Sequence, residues 1–452
     1  MKKDLREDTK AVIEMENTAQ TTPVFTDITL ERILGQANML AALKRVEDNK
    51  GAPGVDGMET DELRWYITNK HPGELSKALL AGTYRPKPVK QVAIPKSEPG
   101  KYRELGIPTV LDRLVQQAVA QVLSNYYDAT FSDSSFGFRP CRGCHDAVRA
   151  CIAQTDEGKR WAVDVDLEKF FDTVDHSRLI RKLSTRIKDK RVISLIHRML
   201  KSGVDTGQEV IAKDKGLMQG GPLSPVLANI YLDELDKELE ARGHSFARYA
   251  DDLMILCRSK RAAIRTLNNL TKLIEGRMLL KVNQEKSGVH YITRGVKFLG
   301  YGFYKPPKKE CIVPTVHAKS KAKLIKETRE LLRRNRRGSL DFIKQKLEQK
   351  LVGWNAYYKL ADYKTWMLRT DQWIRRRIRQ LLWKCWKKVK TRYKALRITG
   401  IPQELAYMWA NTRKAYWRVA GSYVLARSLT NQFLKKNGWT WLELSYRPEV
   451  WR

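Results

Sequence analysis

Ser245-Phe246-Ala247-Arg248-Tyr249-Ala250-Asp251-Asp252-Leu253-Met254-Ile255-Leu256-Cys257 sets the architecture expected of this 452-residue chain. Two β-prone runs flank a short polar centre, which predicts a hairpin with Asp251 and Asp252 at its tip. Adjacent carboxylates repel each other, and divalent cations shared with a third acid on a neighbouring strand relieve that repulsion. Upstream, Trp161-Ala162-Val163-Asp164-Val165-Asp166-Leu167-Glu168-Lys169-Phe170-Phe171-Asp172 offers the third acid. Along an extended strand Asp164 and Asp166 share a face, so spacing alone leaves both open. Acids meeting in this way can hold two Mg²⁺ ions, which activate an attacking oxygen and neutralise a leaving pyrophosphate. An isolated Asp-Asp pair is more often a solvated turn, so the surrounding sequence has to carry the metal reading.

Working outward, short Val/Ile-rich runs at Trp161–Leu167 and Leu253–Cys257 alternate with helical patterns such as Pro225–Leu239. That mixture predicts an α+β unit on a small antiparallel sheet. A helical pattern over Leu30–Asp48 places Leu30, Ile33, Leu34, Leu40, Leu43 and Val46 on an apolar face. Asn49–Gly57 is punctuated by Gly and Pro and reads as a loop. Val89–Ile94 predicts a strand, Lys96–Lys101 a polar turn, and Leu111–Leu123 a helix. Residues up to about Thr26 read as a polar leader. After about Tyr304 strand signals become rare, and long basic helices are expected, broken near Gly338, Gly400 and Gly438.

The formal charge of +35, from 85 Lys and Arg against 50 Asp and Glu, exceeds what solubility requires and points to a polyanionic partner. Cys311–Arg452 holds 34 basic and 9 acidic residues, net +25, together with ten of the 12 Trp. Aromatic planes among cations suit stacked bases and phosphates, although helical spacing fits core packing equally well. Arg375, Arg376, Arg377 and Arg379, then Lys384, Lys387 and Lys388, put cations on more than one helical face. Six scattered cysteines in a chain this long exclude a disulfide framework and fit a reducing cytoplasm. Cys141, Cys144 and His145 form C-x-x-C-H without a second ligand pair, so neither zinc nor haem is expected there. From the charged start no signal peptide is expected, and no apolar run approaches the ~18 residues of a membrane span.

Tyr249–Asp252, the Asp166–Asp172 segment and Gln219-Gly220-Gly221-Pro222-Leu223-Ser224-Pro225, in this order, resemble the palm of reverse transcriptases. Arg103–Thr109 with Asp112-Arg113, Ser135-Phe136-Gly137-Phe138-Arg139-Pro140 and Gly300-Tyr301 are similar to further blocks of that family. Asn49–Gly57 resembles the amino-terminal block of group II intron enzymes, and Gly353-Trp354-Asn355-Ala356-Tyr357-Tyr358 their maturase region. The resemblance covers most of residues 30–440. It implies Asp166, rather than Asp164, with Asp251 and Asp252 as catalytic carboxylates. By the same resemblance the Leu167 carbonyl is a further metal ligand, and Lys96, Arg103, Phe171, Gln219 and Gly220 bind the nucleotide. Phe171 would exclude a 2′-hydroxyl, or else serve as a core aromatic. Glu104 stands where the family usually has Pro, which weakens the Arg103 assignment.

The fold expected is a right-hand polymerase in four parts. These are an amino-terminal extension (1–75), fingers and an α+β palm (76–310), a helical thumb or maturase domain (311–395) and a basic DNA-binding-like module (396–452). The resemblance implies RNA-directed DNA synthesis with two Mg²⁺ ions, Mn²⁺ being a possible substitute, together with assistance to intron splicing and retrohoming. Expected partners are the intron RNA, an RNA template with DNA primer, target DNA and deoxynucleotide triphosphates, with no membrane, in a bacterial cytoplasm. A defence- or host-linked reverse transcriptase and a splicing-only maturase are the alternatives. His145, His176 and Lys286 read as structural and Asp175 as a helix N-cap. No Cys or His follows Cys385, so a metal-bound HNH-type endonuclease is not expected.

Overall fold

The computed structural model describes residues 25–95, 100, 102–307, 310–335 and 338–449. Its strands are β1 (Val89–Pro95), β2 (Tyr102–Ile107), β3 (Trp161–Asp166), β4 (Val204–Asp205), β5 (Val210–Ile211), β6 (Ser245–Tyr249), β7 (Asp252–Cys257), β8 (Gly288–Tyr291), β9 (Tyr301–Tyr304) and β10 (Val313–Val316). They make three sheets, with orders β2-β1-β4-β5, β6-β7-β3-β8 and β10-β9. The chain gathers into two compact units. The first holds residues up to Gly143, Val165–Leu253 and Arg265–Ser287; the second holds Cys144–Asp164, Met254–Ile264 and the chain from Gly288.

In the first unit β1 and β2 pair antiparallel, with Lys90 opposite Ile107 and Ile94 opposite Arg103. The helix expected from Leu30 is two helices, Leu30–Ile33 and Gln36–Asn49. The break falls at Gly35, whose extended ψ of 136° suits the start of a helix and cannot continue one. The resulting change of face leaves Leu40 51% exposed, against expectation, while Leu30, Ile33, Leu43 and Val46 are buried. Helix Val110–Tyr127 starts where Thr109 Oγ1 accepts from the Asp112 amide. Asp112 is buried and receives Tyr84 Oη at 2.5 Å and Thr109 Oγ1 at 2.6 Å. Its neighbour Arg113 donates to the Pro108 carbonyl at 3.0 Å and to the Ala52 carbonyl, anchoring the Asn49–Gly57 loop. The Asp-Arg pair is therefore a fold device. Helix Ser224–Ala241 carries Pro225 in its first turn, where a missing N–H costs nothing. It buries Leu227, Ile230, Tyr231, Leu235 and Leu239, as a central beam of the unit does.

In the second unit Trp161–Asp164 pairs antiparallel with Tyr291–Gly288. The long basic helices are present as Ala318–Leu331, Leu340–Tyr357 and Lys364–Cys385, followed by shorter ones from Val389 onward. Gly338, Gly400 and Gly438 all have positive φ at the breaks. The four-residue pair β9 and β10 was not legible, being too short to set an alternation. Asn355, from the Gly353–Tyr358 block, is buried and donates to the Leu442 carbonyl and to Ser445 Oγ, both at 2.7 Å. Asp371 accepts the Leu442 and Glu443 amides, each at 2.9 Å, and so pins the last short helix onto the long ones.

Candidate active site

The turn that joins β6 to β7 is sharp because Ala250 adopts φ 58°, the left-handed region, which costs a non-glycine residue about 1–2 kcal/mol. The surroundings hold it there. Arg248, 1% exposed, donates Nε to Asp236 Oδ1 at 2.7 Å and Nη2 to Asp236 Oδ2 and to Ser135 Oγ, the latter at 2.8 Å. Its Nη1 reaches Asn229 Oδ1 and the Ala250 carbonyl, both at 3.0 Å. Asn229 in turn donates to the Gly137 carbonyl at 2.8 Å. Gly137 faces the turn so closely that a Cβ there would lie 2.4 Å from the Ala250 nitrogen. The Ser135–Pro140 block thus serves as a wall behind the acidic tip.

Asp166 ends β3, the sheet neighbour of β7. Its amide donates to Ser287 Oγ at 2.9 Å and its carbonyl accepts from the Asn283 amide at 2.9 Å. The Glu168 amide donates to the Lys281 carbonyl at 2.8 Å. Peptide groups alternate along an extended chain, so the Leu167 carbonyl between them is directed to the opposite edge, the β7 side. Asp251 is half-buried. Burial raises its carboxyl above the ordinary range and the Asp166 charge adds to the rise, while Arg103 and Arg248 pull it down. Of Asp164 and Asp166, it is Asp166 whose charge is felt at Asp251. Asp164 lies in the second unit, opposite Gly288.

Among the described residues no group of three or more His, Cys, Asp or Glu is gathered closely enough to form a metal cage by itself. Asp166 and Asp251, the latter raised chiefly by burial and further by the Asp166 charge, supply carboxylate oxygens of the kind that hold Mg²⁺. Lys286, expected to be structural, stands with Nζ 3.4 Å from Asp166 Oδ2.

The Gln219–Pro225 block explains itself partly by packing. Gly106 of β2 donates its amide to the Gln219 carbonyl at 2.8 Å. Gly220 has φ 123°, and a Cβ there would lie 2.5 Å from the Gly106 carbonyl oxygen. The close approach that excludes a side chain here is made by β2. Phe171 is half-buried with its ring 5.3 Å from that of Phe170, which is 2% exposed; Phe170 is the core aromatic of the pair. Lys96 lies outside the described residues. His176 is buried against the Gly216 carbonyl at 2.7 Å, and Asp175 caps its helix by accepting from the Arg178 amide, both as expected. His145 bonds the Tyr357 carbonyl at 2.8 Å.

The basic run of helix Lys364–Cys385 is less free than its composition implies. Arg376 donates to the Trp417 carbonyl at 2.8 Å with its guanidinium 4.0 Å from the Trp417 ring centre, and Arg379 donates to the Leu429 carbonyl at 3.0 Å. These two bind the helices of the module together. Arg375 and Arg377 lie over the rings of Trp441 and Trp373, each at 5.3 Å, whereas Lys387 and Lys388 are exposed. Trp383, Trp439 and Trp441 are buried, so core packing claims those three. Arg248, Asn229, Asp236 and Ser287 carry no role in the sequence reading. The signal was a lone charge inside the apolar run Phe246-Ala247-Arg248, which has to be paired if buried.

An acidic hairpin turn facing an acid on the adjacent strand defines a nucleotidyl-transferase palm. Residues 94–303 match the reverse transcriptase (RNA-dependent DNA polymerase) family and residues 321–399 the group II intron maturase-specific domain. Protein YkfC of Escherichia coli is 33% identical over 63% of this chain and 84% of its own length. The group II intron-encoded protein LtrA of Lactococcus lactis is 36% identical over 55% of this chain and 40% of its own. The COX1/OXI3 intron 2 protein of Saccharomyces cerevisiae is 28% identical over 64% and 40%. The chain belongs to the group II intron-encoded reverse transcriptases, which carry a maturase domain. With membership come the right-hand polymerase fold, RNA-directed DNA polymerase activity with a general dependence on divalent metal, and binding of intron RNA. No helix among the described residues is long and apolar enough to cross a membrane.

Proposed function

We propose that this chain extends a DNA primer on an RNA template with Mg²⁺ held by Asp166, Asp251, Asp252 and the Leu167 carbonyl. In the same reading its helical region from about residue 311 holds the intron RNA, aids splicing and delivers it to target DNA. The proposed parts remain 1–75, 76–310, 311–395 and 396–452. The observation that carries the polymerase reading is the sharp turn at Ala250, which sets half-buried Asp251 next to β7, the sheet neighbour of the strand that Asp166 ends. Two Mg²⁺ ions, or Mn²⁺ in their place, would activate the primer 3′-oxygen and neutralise the leaving pyrophosphate.

The protein's own residues do the rest. Arg103, whose charge reaches Asp251, is aimed where a triphosphate would sit and offers it a cation; Lys96 and Gln219 complete that contact. Lys286 balances Asp166 while the site awaits substrate. Phe171, half-buried beside Phe170, supports the sugar and disfavours a 2′-hydroxyl. Exposed Lys387 and Lys388 serve the RNA, with Lys384, Arg375 and Arg377 beside them. Primer extension on an RNA template in Mg²⁺, comparing wild type with Asp251→Ala, tests the reading. Synthesis by the wild type alone supports it; equal inactivity of both proteins would favour a maturase that only binds RNA.

A further inference from the structure

We propose that Arg248 is a positioning residue for nucleotide addition: its guanidinium, locked by Asp236, Asn229 and Ser135, holds the Ala250 carbonyl and thereby sets where Asp251 stands. This rests on the reading of Asp251 as catalytic. A guanidinium has five N–H donors. Here each has an acceptor: two go to Asp236, one to Asn229, one to Ser135 and one to Ala250. Four of the five fix the group itself, and the fifth acts on the turn. The fixing partners come from helix Ser224–Ala241 and from the Ser135 loop, elements outside the hairpin. Main-chain bonds reinforce the frame, since the Arg248 amide donates to Ser134 and its carbonyl accepts from Phe136, both at 2.8 Å.

A buried pair of this kind gives little net stability over apolar residues of equal volume, because desolvation offsets the attraction. Its use here is geometric. The Ala250 peptide precedes Asp251, so fixing its carbonyl fixes the plane from which Asp251 springs, and holds Ala250 in the left-handed region it would otherwise leave. Lysine cannot replace this arrangement, because an ammonium has three donors and no planar fork.

The test uses the full chain with Arg248→Lys and, separately, Arg248→Met with Asp236→Leu, which leaves no buried charge. Measured are kcat, KM for deoxynucleotide, template–primer affinity, melting temperature and amide hydrogen exchange at residues 249–252. In a folded variant kcat is expected to fall about 10- to 100-fold, with KM and primer affinity unchanged. Exchange is expected to quicken at the turn but not in helix Ser224–Ala241. Wild-type kcat in either folded variant overturns the proposal, as does a kcat loss without a change in turn exchange. Failure of both variants to fold overturns it in favour of a purely structural role. An Asp251→Ala control that still polymerises would instead sink the reading on which the proposal rests.

Discussion

Alanine at Gly137 is expected to harm catalysis far more than stability. The new Cβ would stand 2.4 Å from the Ala250 nitrogen and 2.9 Å from the Tyr249 carbonyl carbon, where ordinary contact begins at 3.4 Å. The two backbones must then part by about 1 Å, since neither neighbour is a flexible side-chain end. The Gly137 side cannot retreat freely, because its carbonyl is held by Asn229 and the preceding Phe136 amide by Arg248. The hairpin turn therefore moves, and with it Asp251. Overpacking of this size costs about 1–3 kcal/mol of stability, which a chain of this size tolerates. A displacement of about 1 Å at the reacting groups lowers kcat by about 100-fold. Single-turnover primer extension gives the rate, with template–primer binding and a melting curve measured on the same sample. Gly137→Ala with normal melting and a rate close to wild type would refute the wall described for Ser135–Pro140.

Three further substitutions probe separate parts of the molecule. Phe171→Ala is expected to raise ribonucleotide over deoxynucleotide incorporation by about tenfold or more, measured as the ratio of the two kcat/KM values; an unchanged ratio would remove the sugar-gate role. Gly353→Ala, at an exposed helical position with no atom within 4 Å of the added Cβ, is expected to stabilise the protein by about 0.5–1 kcal/mol. A fall in the urea midpoint would show that this face is packed after all. Burial raises Asp371 from 3.8 to about 6 despite two amide donors and Arg375. A folded value above the unfolded one means that its contribution is present below about pH 4 and lost as pH rises through 6. The melting temperature of wild type relative to Asp371→Asn should accordingly decline between pH 5 and 7; a difference independent of pH would contradict the buried, raised carboxyl.

The features legible in the sequence were those with a local chemical signature. Asp251 and Asp252 announce a hairpin tip by the β-prone run on either side, and the breaks at Gly338, Gly400 and Gly438 announce themselves by residue type. The break at Gly35 was not legible because Ile33, Leu40 and Leu43 keep a helical spacing across it, and only the exposure of Leu40 betrays the change of face. The pairing of Lys286 with Asp166 was not legible, because an ion pair across 120 residues leaves no periodic trace. In the Arg375–Arg379 run the charge was plain, but which donors turn inward depends on where Trp417 and Leu429 fold back.

The motif blocks, read one by one as substrate contacts, are in good measure contacts with each other. Gly106 meets Gly220, Gly137 meets Ala250, Asn229 reaches Gly137, and Arg248 reaches Asn229, Ser135 and Ala250. A site that must hold carboxylates close together against their own repulsion needs this kind of enclosure, because every soft contact would let the turn relax and separate the charges. Glycines at the crossings let backbones approach where side chains would wedge them apart, and one saturated arginine supplies a rigid strut where an apolar side chain would leave the Ala250 carbonyl unpaired. Substitutions at Gly106 or Gly220 should therefore affect the rate of nucleotide addition through the frame, even where neither residue touches a nucleotide.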